Sequence, residues 1–205
     1  MTYSNVNGPV GTGSISTDSL FVDSAADNYR LMSTSPCINA GDPASPRDPD
    51  STRADMGAYF FNTCEPAVIC TQSMNFAPCT PMMGYEGFAS ASRPEPFLVT
   101  LDSAPTASFG ILFYGTGTQT LIPALLGDLC VSGPYTRTPP VAAGGDPADG
   151  PCVGRFALDM NAYIQSGADA AIVPGTSLIA HFWYRYGAAP NGARFSDGIE
   201  IMICP

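Results

Sequence analysis

Apolar residues along the chain fall into short runs, and turn-forming residues separate one run from the next. Strand-sized runs dominate the second half: PFLVTL (96–101), FGILFYG (109–115), DLCVSG (128–133), GRFALDMN (154–161), SLIAHFWYRY (177–186) and IEIMICP (199–205). Only ADAAIV, at 168–173, has the composition of a helical turn. Many short apolar runs joined by turns are typical of β-sandwiches and jelly rolls. We therefore predict an all-β protein whose residues 84–205 form a disulfide-stapled antiparallel β-sandwich, jelly-roll-like in type.

The first 61 residues carry smaller apolar groups, and none of them has a helical period over two turns. Each group has the length of a strand: TYSNV (2–6), SLFVD (19–23), YRLM (29–32), CINA (37–40) and MGAYFF (56–61). Three cysteines mark the segment that follows. We predict a first domain at 1–61, a linker at 62–83 and the sandwich at 84–205.

The net charge of the chain limits the classes of molecule that it can bind. Eighteen acidic residues stand against eight basic ones, and the formal net charge is −10. All eight basic residues are arginines, and lysine does not occur. Because such a surface repels phosphate groups, we do not expect nucleic acid or an anionic membrane surface as a partner. No run of about 18 apolar residues occurs, so we predict no membrane span.

The cysteines point to disulfides. They stand at positions 37, 64, 70, 79, 130, 152 and 204, without any C-x-x-C pair. The single histidine, His181, rules out a Cys₂His₂ zinc finger. Disulfides imply an oxidising compartment, so we predict a secreted protein. The expected pairs are Cys70–Cys79, Cys130–Cys152 and, as a third choice, Cys64–Cys204, with Cys37 left as a buried thiol. The first ten residues lack the features of a signal peptide, so we expect a region upstream of residue 1.

The motifs TYSNV, YRL, SPCINAGDP and RADMGAY follow one another within residues 2–60. In this combination they resemble the terminal coil of secreted right-handed parallel β-helix proteins of the pectate-lyase-like superfamily. The resemblance implies that residues 1–61 are the last coil and cap of a parallel β-helix. An exposed coil face of this kind would support self-association.

A second set of motifs runs through residues 109–205: FGILFYG, GDLCV, RTPP, NAYIQSG, FWYR and SDGIEIMICP. With Cys70, Cys79 and Cys152 they resemble a C-terminal module of secreted planctomycete-type bacterial proteins, to which no activity is attached. His181 stands where that module tends to carry an amide, and Tyr186 where it usually has aspartate. A role carried by His181 alone would therefore be peculiar to this protein.

The acidic loop GDPASPRDPDSTRADMGAY (41–59) has two main interpretations. Hard oxygen ligands for a structural calcium ion would come from the Thr52 hydroxyl and three carboxylates, Asp48, Asp50 and Asp55. Alternatively, the aspartates cap turns while Arg47 and Arg53 pair with neighbouring carboxylates. A lyase site is a weaker interpretation, because such sites lie on the middle coils of a β-helix and those coils are absent.

The most aromatic strand is SLIAHFWYRY (177–186). Strand alternation separates its side chains into two faces, with Ala180, Phe182, Tyr184 and Tyr186 on the face suited to a sandwich core. The other face carries Ile179, His181, Trp183 and Arg185, and it is a candidate solvent-facing platform for a sugar. In the alternative interpretation, Trp183 packs under a loop and Arg185 pairs with an acid such as Asp197.

Catalytic residues are harder to assign. His181 is the only imidazole available as a base, and no G-x-S-x-G motif provides a serine nucleophile. Asp197 and Asp128 are weak candidates as catalytic acids, and turn residues at strand ends would look the same. A pair of carboxylates for glycoside hydrolysis stays open, since no spacing singles one out.

Three functions follow from these patterns. The first is an extracellular, non-catalytic module that binds glycans or the cell surface through Trp183, His181 and Arg185, as the C-terminal part of a larger polysaccharide-associated protein. The second is a hydrolase acting on a polysaccharide or an ester. The third is a structural cap or sorting module. No cofactor is expected beyond the calcium ion of the acidic loop.

Overall fold

The computed structural model describes residues 2–8, 11–62, 64–70, 78–117, 119–124, 127–187 and 191–205. The chain divides into two compact units, Met1–Thr63 and Cys64–Pro205. Residues 71–77 of the expected linker lie outside the described part.

The first unit has little regular structure. Strands β1 (Phe21–Asp23) and β2 (Asn28–Leu31) pair antiparallel around a single 3₁₀ turn. The carboxylate of Asp23 caps that turn by accepting the Ala26 N–H. One isolated parallel bridge joins Asn5 to Ile15. A parallel β-helix coil is therefore not shown, and the resemblance to one stays a prediction.

Three of the five strands expected in this unit do not form. Residues 2–6 contain only the bridge of Asn5, residues 37–39 lie in turns, and residues 56–61 lie in bends and irregular chain. Single backbone hydrogen bonds connect these parts of the chain instead of a ladder: the Met56 N–H donates to the Cys37 carbonyl at 2.9 Å, and the Gly41 N–H donates to the Ala54 carbonyl at 2.7 Å. The expectation of strands here was wrong because prolines and side-chain caps compete with sheet pairing.

The second unit is built from eleven described strands and one short helix. The strands are β3 (Ala67–Ile69), β4 (Met82–Glu86), β5 (Leu98–Ala104), β6 (Phe109–Gly115), β7 (Gln119–Ala124), β8 (Gly127–Val131), β9 (Thr136–Ala142), β10 (Gly154–Asp159), β11 (Ser177–Arg185), β12 (Ala193–Phe195) and β13 (Gly198–Met202). Helix α1 spans Met160–Gln165.

Two antiparallel sheets enclose the main core of this unit. The larger sheet has the order β3-β13-β11-β6-β9, with β12 also paired to β11, and the smaller sheet has the order β10-β5-β4. Buried side chains of both sheets share one cluster, for example Leu101 and Phe156 from the smaller sheet with Phe182 from the larger. Strands β7 and β8 form a separate hairpin. The prediction of an all-β fold with antiparallel sheets is confirmed.

The expected faces of β11 are also found. Ala180, Phe182 and Tyr184 are buried in the main core, and the rings of Phe182 and Phe156 stack with centroids 5.5 Å apart. Because successive side chains of a strand point to opposite faces, His181 and Trp183 lie on the face turned away from that core.

The prediction of a helical turn at 168–173 was wrong. The predicted strand 154–161 ends at Asp159, whose carboxylate accepts the Ala162 N–H at 3.1 Å and caps α1. The helix begins there because its residues Met160 and Ile164 are buried in the main core. By contrast, ADAAIV at 168–173 forms turns and no helix.

The disulfides correct two of the three expected pairings. Cys64 pairs with Cys204, as predicted, whereas Cys79 pairs with Cys152. The expected pairs Cys70–Cys79 and Cys130–Cys152 are wrong, because Cys130 lies on β8 beside Cys70 and away from the main-core cluster of Cys79 and Cys152. Cys37 is a fully buried thiol, as expected.

Candidate functional site: an aromatic groove on the larger sheet

A groove of about 460 Å³ lies on the larger sheet, on the face turned away from the main core. Its lining comes from neighbouring strands and the residue before β9: Ile111, Phe113, Tyr135, Arg137, Trp183 and Phe195. Strand pairing brings these groove residues together, because Trp183 lies opposite Ile111 of β6 on one side and opposite Phe195 of β12 on the other. Arg137 lies opposite Phe113 in the next ladder.

Aromatic rings form most of the groove surface. The rings of Phe113 and Tyr135 stack with centroids 4.8 Å apart, and Trp183 lies 6.4 Å from Phe109 at a tilted angle. Tyr135 is 38% exposed and Phe109 46% exposed, while Trp183 is half-buried. The groove therefore exposes large apolar ring surfaces to solvent.

Two guanidinium groups lie over these rings. The Arg185 guanidinium carbon is 5.2 Å from the Trp183 ring centroid and 5.8 Å from that of Phe109, and the Arg137 carbon is 5.8 Å from that of Phe113. Stacking on a ring holds a guanidinium in place while its edge stays available for hydrogen bonds. This arrangement differs from the alternative in which Arg185 is committed to an acidic partner.

The groove is positive within a negative unit. Residues 64–205 contain eleven acidic residues against five arginines. No acidic side chain is among the residues of the described chain that line the groove, whereas Arg137 lines it and Arg185 lies over its tryptophan. Anionic ligands are therefore favoured at this face over the rest of the unit.

His181 lies beneath the groove and not in it. Its side chain has 0% exposure. Its ring stacks on that of Phe195 with centroids 5.4 Å apart and lies tilted against that of Phe113 at 5.7 Å. Neither ring nitrogen has a hydrogen-bond partner in the described structure. Burial lowers the pKa of His181 to about 4, and the nearby backbone of Ser196 opposes this lowering only in part. The imidazole is neutral at pH 7, and the expectation that it belongs to a solvent-facing platform was wrong.

The catalytic candidates do not meet. The Ser196 hydroxyl donates to the backbone carbonyl of Asp197 at 2.7 Å and accepts the Phe182 N–H at 2.9 Å, so it is committed to the backbone. Asp197 and Asp128 both lie near the thiol of Cys130. With His181 buried, the described residues form no serine–histidine–aspartate arrangement.

The acidic loop uses its carboxylates as backbone caps. Asp55 accepts the Asn39 N–H at 2.6 Å and the Phe61 N–H at 2.5 Å through its two oxygens. The carboxylate of Asp48 accepts the Asp55 N–H at 2.9 Å, and Asp50 accepts from Thr52. Burial, followed by the nearby Asp55 charge, raises the pKa of Asp48.

The arginines of this loop also bind the backbone. Arg47 donates to the Ser51 carbonyl at 2.8 Å, and Arg53 donates to the Gly41 carbonyl at 2.6 Å. Among the described residues, no group of three or more His, Cys, Asp or Glu side chains has the geometry to hold a metal ion. The aspartates of the loop act as backbone caps, as the second interpretation expected. Its arginines bind backbone carbonyls where that interpretation expected carboxylates, and calcium stays a prediction.

Comparisons with protein-family models, with curated proteins and with solved structures find no match to this chain. Within the described residues, no helix has both the length and the apolar character needed to cross a membrane.

Sequence reasoning found Trp183 and Arg185 but missed the other side of the groove. Tyr135 and Arg137 come from the proline-rich segment 132–151, in which the apolar pattern predicted no further strand. The alternation of Tyr135 with Arg137, two residues apart and next to a β-strand, was the available signal.

Proposed function

We propose that this chain is an extracellular, non-catalytic binding module for acidic glycans, with the aromatic groove as its site. The observation that carries the proposal is the half-buried Trp183 ring in a groove of aromatic side chains bordered by two arginines. The chain would serve as part of a larger secreted, polysaccharide-associated protein.

Ring surface suits a sugar. The apolar C–H face of a pyranose packs on an aromatic face, which excludes water from both, while the hydroxyl groups at the sugar edge stay hydrated or meet polar groups. Trp183 and Tyr135 are the rings with the most suitable exposure, and the groove is of the size that small-ligand sites occupy.

The arginines select the charge of the ligand. A guanidinium binds a carboxylate or sulfate through two parallel hydrogen bonds, and such charge-assisted pairs are stronger than neutral ones. Because Arg137 and Arg185 stack on rings of the groove, a bound acidic sugar would meet ring and cation together. Chains of uronic acids and sulfated polysaccharides have this chemistry.

The cross-links support the proposed extracellular location. Two disulfides in a chain of 205 residues are typical of oxidising, extracellular surroundings. A structural calcium ion in the acidic loop and self-association through the first unit belong to the same proposal, as features that a secreted polysaccharide-associated protein would use.

The hydrolase alternative has weaker support. Its histidine is buried and neutral, and its serine is committed to the backbone. The cap or sorting alternative predicts no small ligand, so it is tested by the same experiment as the proposal.

The experiment measures binding and turnover together. The whole chain is titrated against polygalacturonate, a sulfated polysaccharide and the neutral polymers xylan and cellulose, with calcium and with chelator, alongside a chromogenic ester. We expect binding of the acidic polymers without product. We expect Trp183→Ala to weaken that binding by about tenfold or more, in line with loss of a central aromatic anchor.

Matched variants isolate the charge contribution. Arg137 and Arg93 each lie over a phenylalanine ring, at 5.8 Å and 5.3 Å, but only Arg137 lines the groove. Arg137→Gln is expected to weaken binding of the acidic polymers and to flatten its salt dependence, whereas Arg93→Gln leaves both unchanged. Equal binding of neutral and acidic polymers would remove the charge argument, and binding of none would favour the structural cap.

A further inference from the structure

A small apolar cluster lies apart from the main core and holds two cysteines. It is formed by Cys130 and Val131 of β8, Ile179 of β11, and Ile69 and Cys70 at the end of β3. Both cysteines carry thiols in this structure. Cys130 has no accessible surface, while Cys70 is partly exposed.

The thiol of Cys130 is directed at Cys70. Its Sγ lies 3.7 Å from the carbonyl oxygen of Cys70 in hydrogen-bonding geometry. The contacts of Cys70 Sγ with the Thr120 carbonyl at 3.8 Å and the Gln119 amide at 3.7 Å are weaker and longer than ordinary hydrogen bonds. The side chain of Cys130 is thus directed at the residue that carries the second sulfur.

Glycine at position 198 permits this approach. A Cβ atom built there would lie 3.3 Å from the Cβ of Cys130 and 3.3 Å from the Cγ1 of Ile69. A larger residue at this position of β13 would separate β8 from β3 and hence the two cysteines. The packing of β3, β8 and β13 around Gly198 therefore places Cys70 and Cys130 close together.

We propose that Cys70 and Cys130 are joined by a third disulfide in the mature protein, which connects the end of β3 to β8. The oxidant is a low-molecular-weight or protein disulfide, RSSR, of the kind present in an oxidising compartment. Two thiols are oxidised to one disulfide, and two electrons and two protons pass to RSSR, which leaves as two RSH.

The order of the two exchange steps follows from exposure. Cys70 attacks RSSR first, because it is the partly exposed residue of the pair, and one RSH leaves as the mixed disulfide forms. The Cys130 thiol then attacks the Cys70 sulfur and releases the second RSH. Burial, followed by the hydrogen bond to Cys70, raises the pKa of the Cys130 thiol, so this sulfur needs its partner held beside it. This proposal concerns the cross-links alone and does not depend on glycan binding.

The test counts and maps thiols in the whole chain. Protein produced in an oxidising compartment is denatured with N-ethylmaleimide and without reductant, and its peptides are mapped by mass spectrometry. We expect one label, on Cys37, together with a peptide in which Cys70 is linked to Cys130. In Cys37→Ala the label count falls to zero, and in Cys70→Ala it rises to two, on Cys37 and Cys130.

Stability gives a second measurement that does not depend on peptide mapping. Cys70→Ala removes a partly exposed side chain, so its packing loss is small. We nevertheless expect its Tm to fall by roughly 5–15 °C, because a disulfide between two cysteines 60 positions apart restricts the unfolded chain. Under reducing conditions the gap between wild type and Cys70→Ala should close.

Two results would overturn the proposal. The first is three labelled cysteines in the wild-type protein even after incubation with oxidised glutathione. The second is a linkage of Cys70 or Cys130 to any other cysteine.

Discussion

The two units of the chain are stabilised in different ways. In Met1–Thr63 the buried apolar side chains of the described residues are Leu31 and Cys37, and carboxylates hold the acidic loop by accepting backbone N–H groups. In Cys64–Pro205 two sheets enclose a large apolar core and two disulfides cross-link it. The comparison teaches that polar caps can fix a loop, whereas a shared core is needed to make strands pair in sheets.

The largest effect is expected from the core of the second unit. Phe182→Ala removes a fully buried ring that stacks on Phe156, so it should lower the free energy of unfolding by about 3–5 kcal/mol. Chemical denaturation followed by far-UV circular dichroism measures this. Trp183→Ala, one residue away on the other face, is the matched control and should cost about 1 kcal/mol. Equal losses in the two variants would mean that the two faces of β11 are not distinct.

The second effect is a loss of stability in acid that arises from His181. Its pKa is about 4 in the folded chain and 6.5 in a free side chain, so the folded state favours the neutral imidazole. The stability contribution of His181 is complete above pH 6.5 and is lost as pH falls towards 4, by about 3 kcal/mol in total.

His181→Leu tests this effect because leucine is neutral and similar in volume. Between pH 7.5 and 4.5 the wild-type protein should lose more stability than the variant, as measured by urea denaturation at each pH. Parallel pH profiles for the two proteins would show that His181 does not charge on unfolding in this range.

The third effect concerns the caps of the first unit. Asp55→Ala leaves the N–H groups of Asn39 and Phe61 without their carboxylate acceptor, so we expect a local loss of about 1–3 kcal/mol. Hydrogen exchange with mass spectrometry should detect faster exchange in residues 39–61 while the second unit keeps its protection. Asp55→Asn keeps one oxygen acceptor and should lose less. Added calcium that slows exchange in the wild-type loop would support the metal interpretation.

The same comparison explains what the sequence could predict. Local apolar patterns placed β5, β6, β10 and β11 correctly, since each strand buries alternating side chains in the main core. The pattern missed β9, because Pro139 and Pro140 are unusual in strands and are tolerated here at the sheet edge. Among the described residues of the first unit, no cluster of buried apolar side chains stabilises strand pairing, so strand-sized runs such as CINA gave a false signal.

The groove was only half predictable for a related reason. Alternation within β11 identifies the face of Trp183, but Phe113 and Tyr135 join it through the pairing of β6 with β11 and with β9, which are distant from β11 in sequence. Phe195 joins from β12, a strand that the apolar pattern did not predict. The burial of His181 depends on the same pairing, since Phe195 covers it. Two of the three predicted disulfides, Cys70–Cys79 and Cys130–Cys152, were wrong for the same reason, because they preferred near neighbours in sequence over neighbours in the fold, whereas the prediction of Cys64–Cys204 was confirmed.

The smallest effect is expected at the surface of the second unit. Arg155 lies 2.5 Å from Glu86 and 3.1 Å from Asp102, linking the three strands of the smaller sheet. All three side chains are more than 40% exposed, so solvent screens the pairs and their contribution should be at most about 1 kcal/mol. Arg155→Gln should therefore shift the urea midpoint only slightly, and the shift should vanish in 0.5 M salt. A loss as large as that of Phe182→Ala would mean that ion pairs, and not the core, hold the smaller sheet, which would bring the second unit closer to the first in the way it is stabilised.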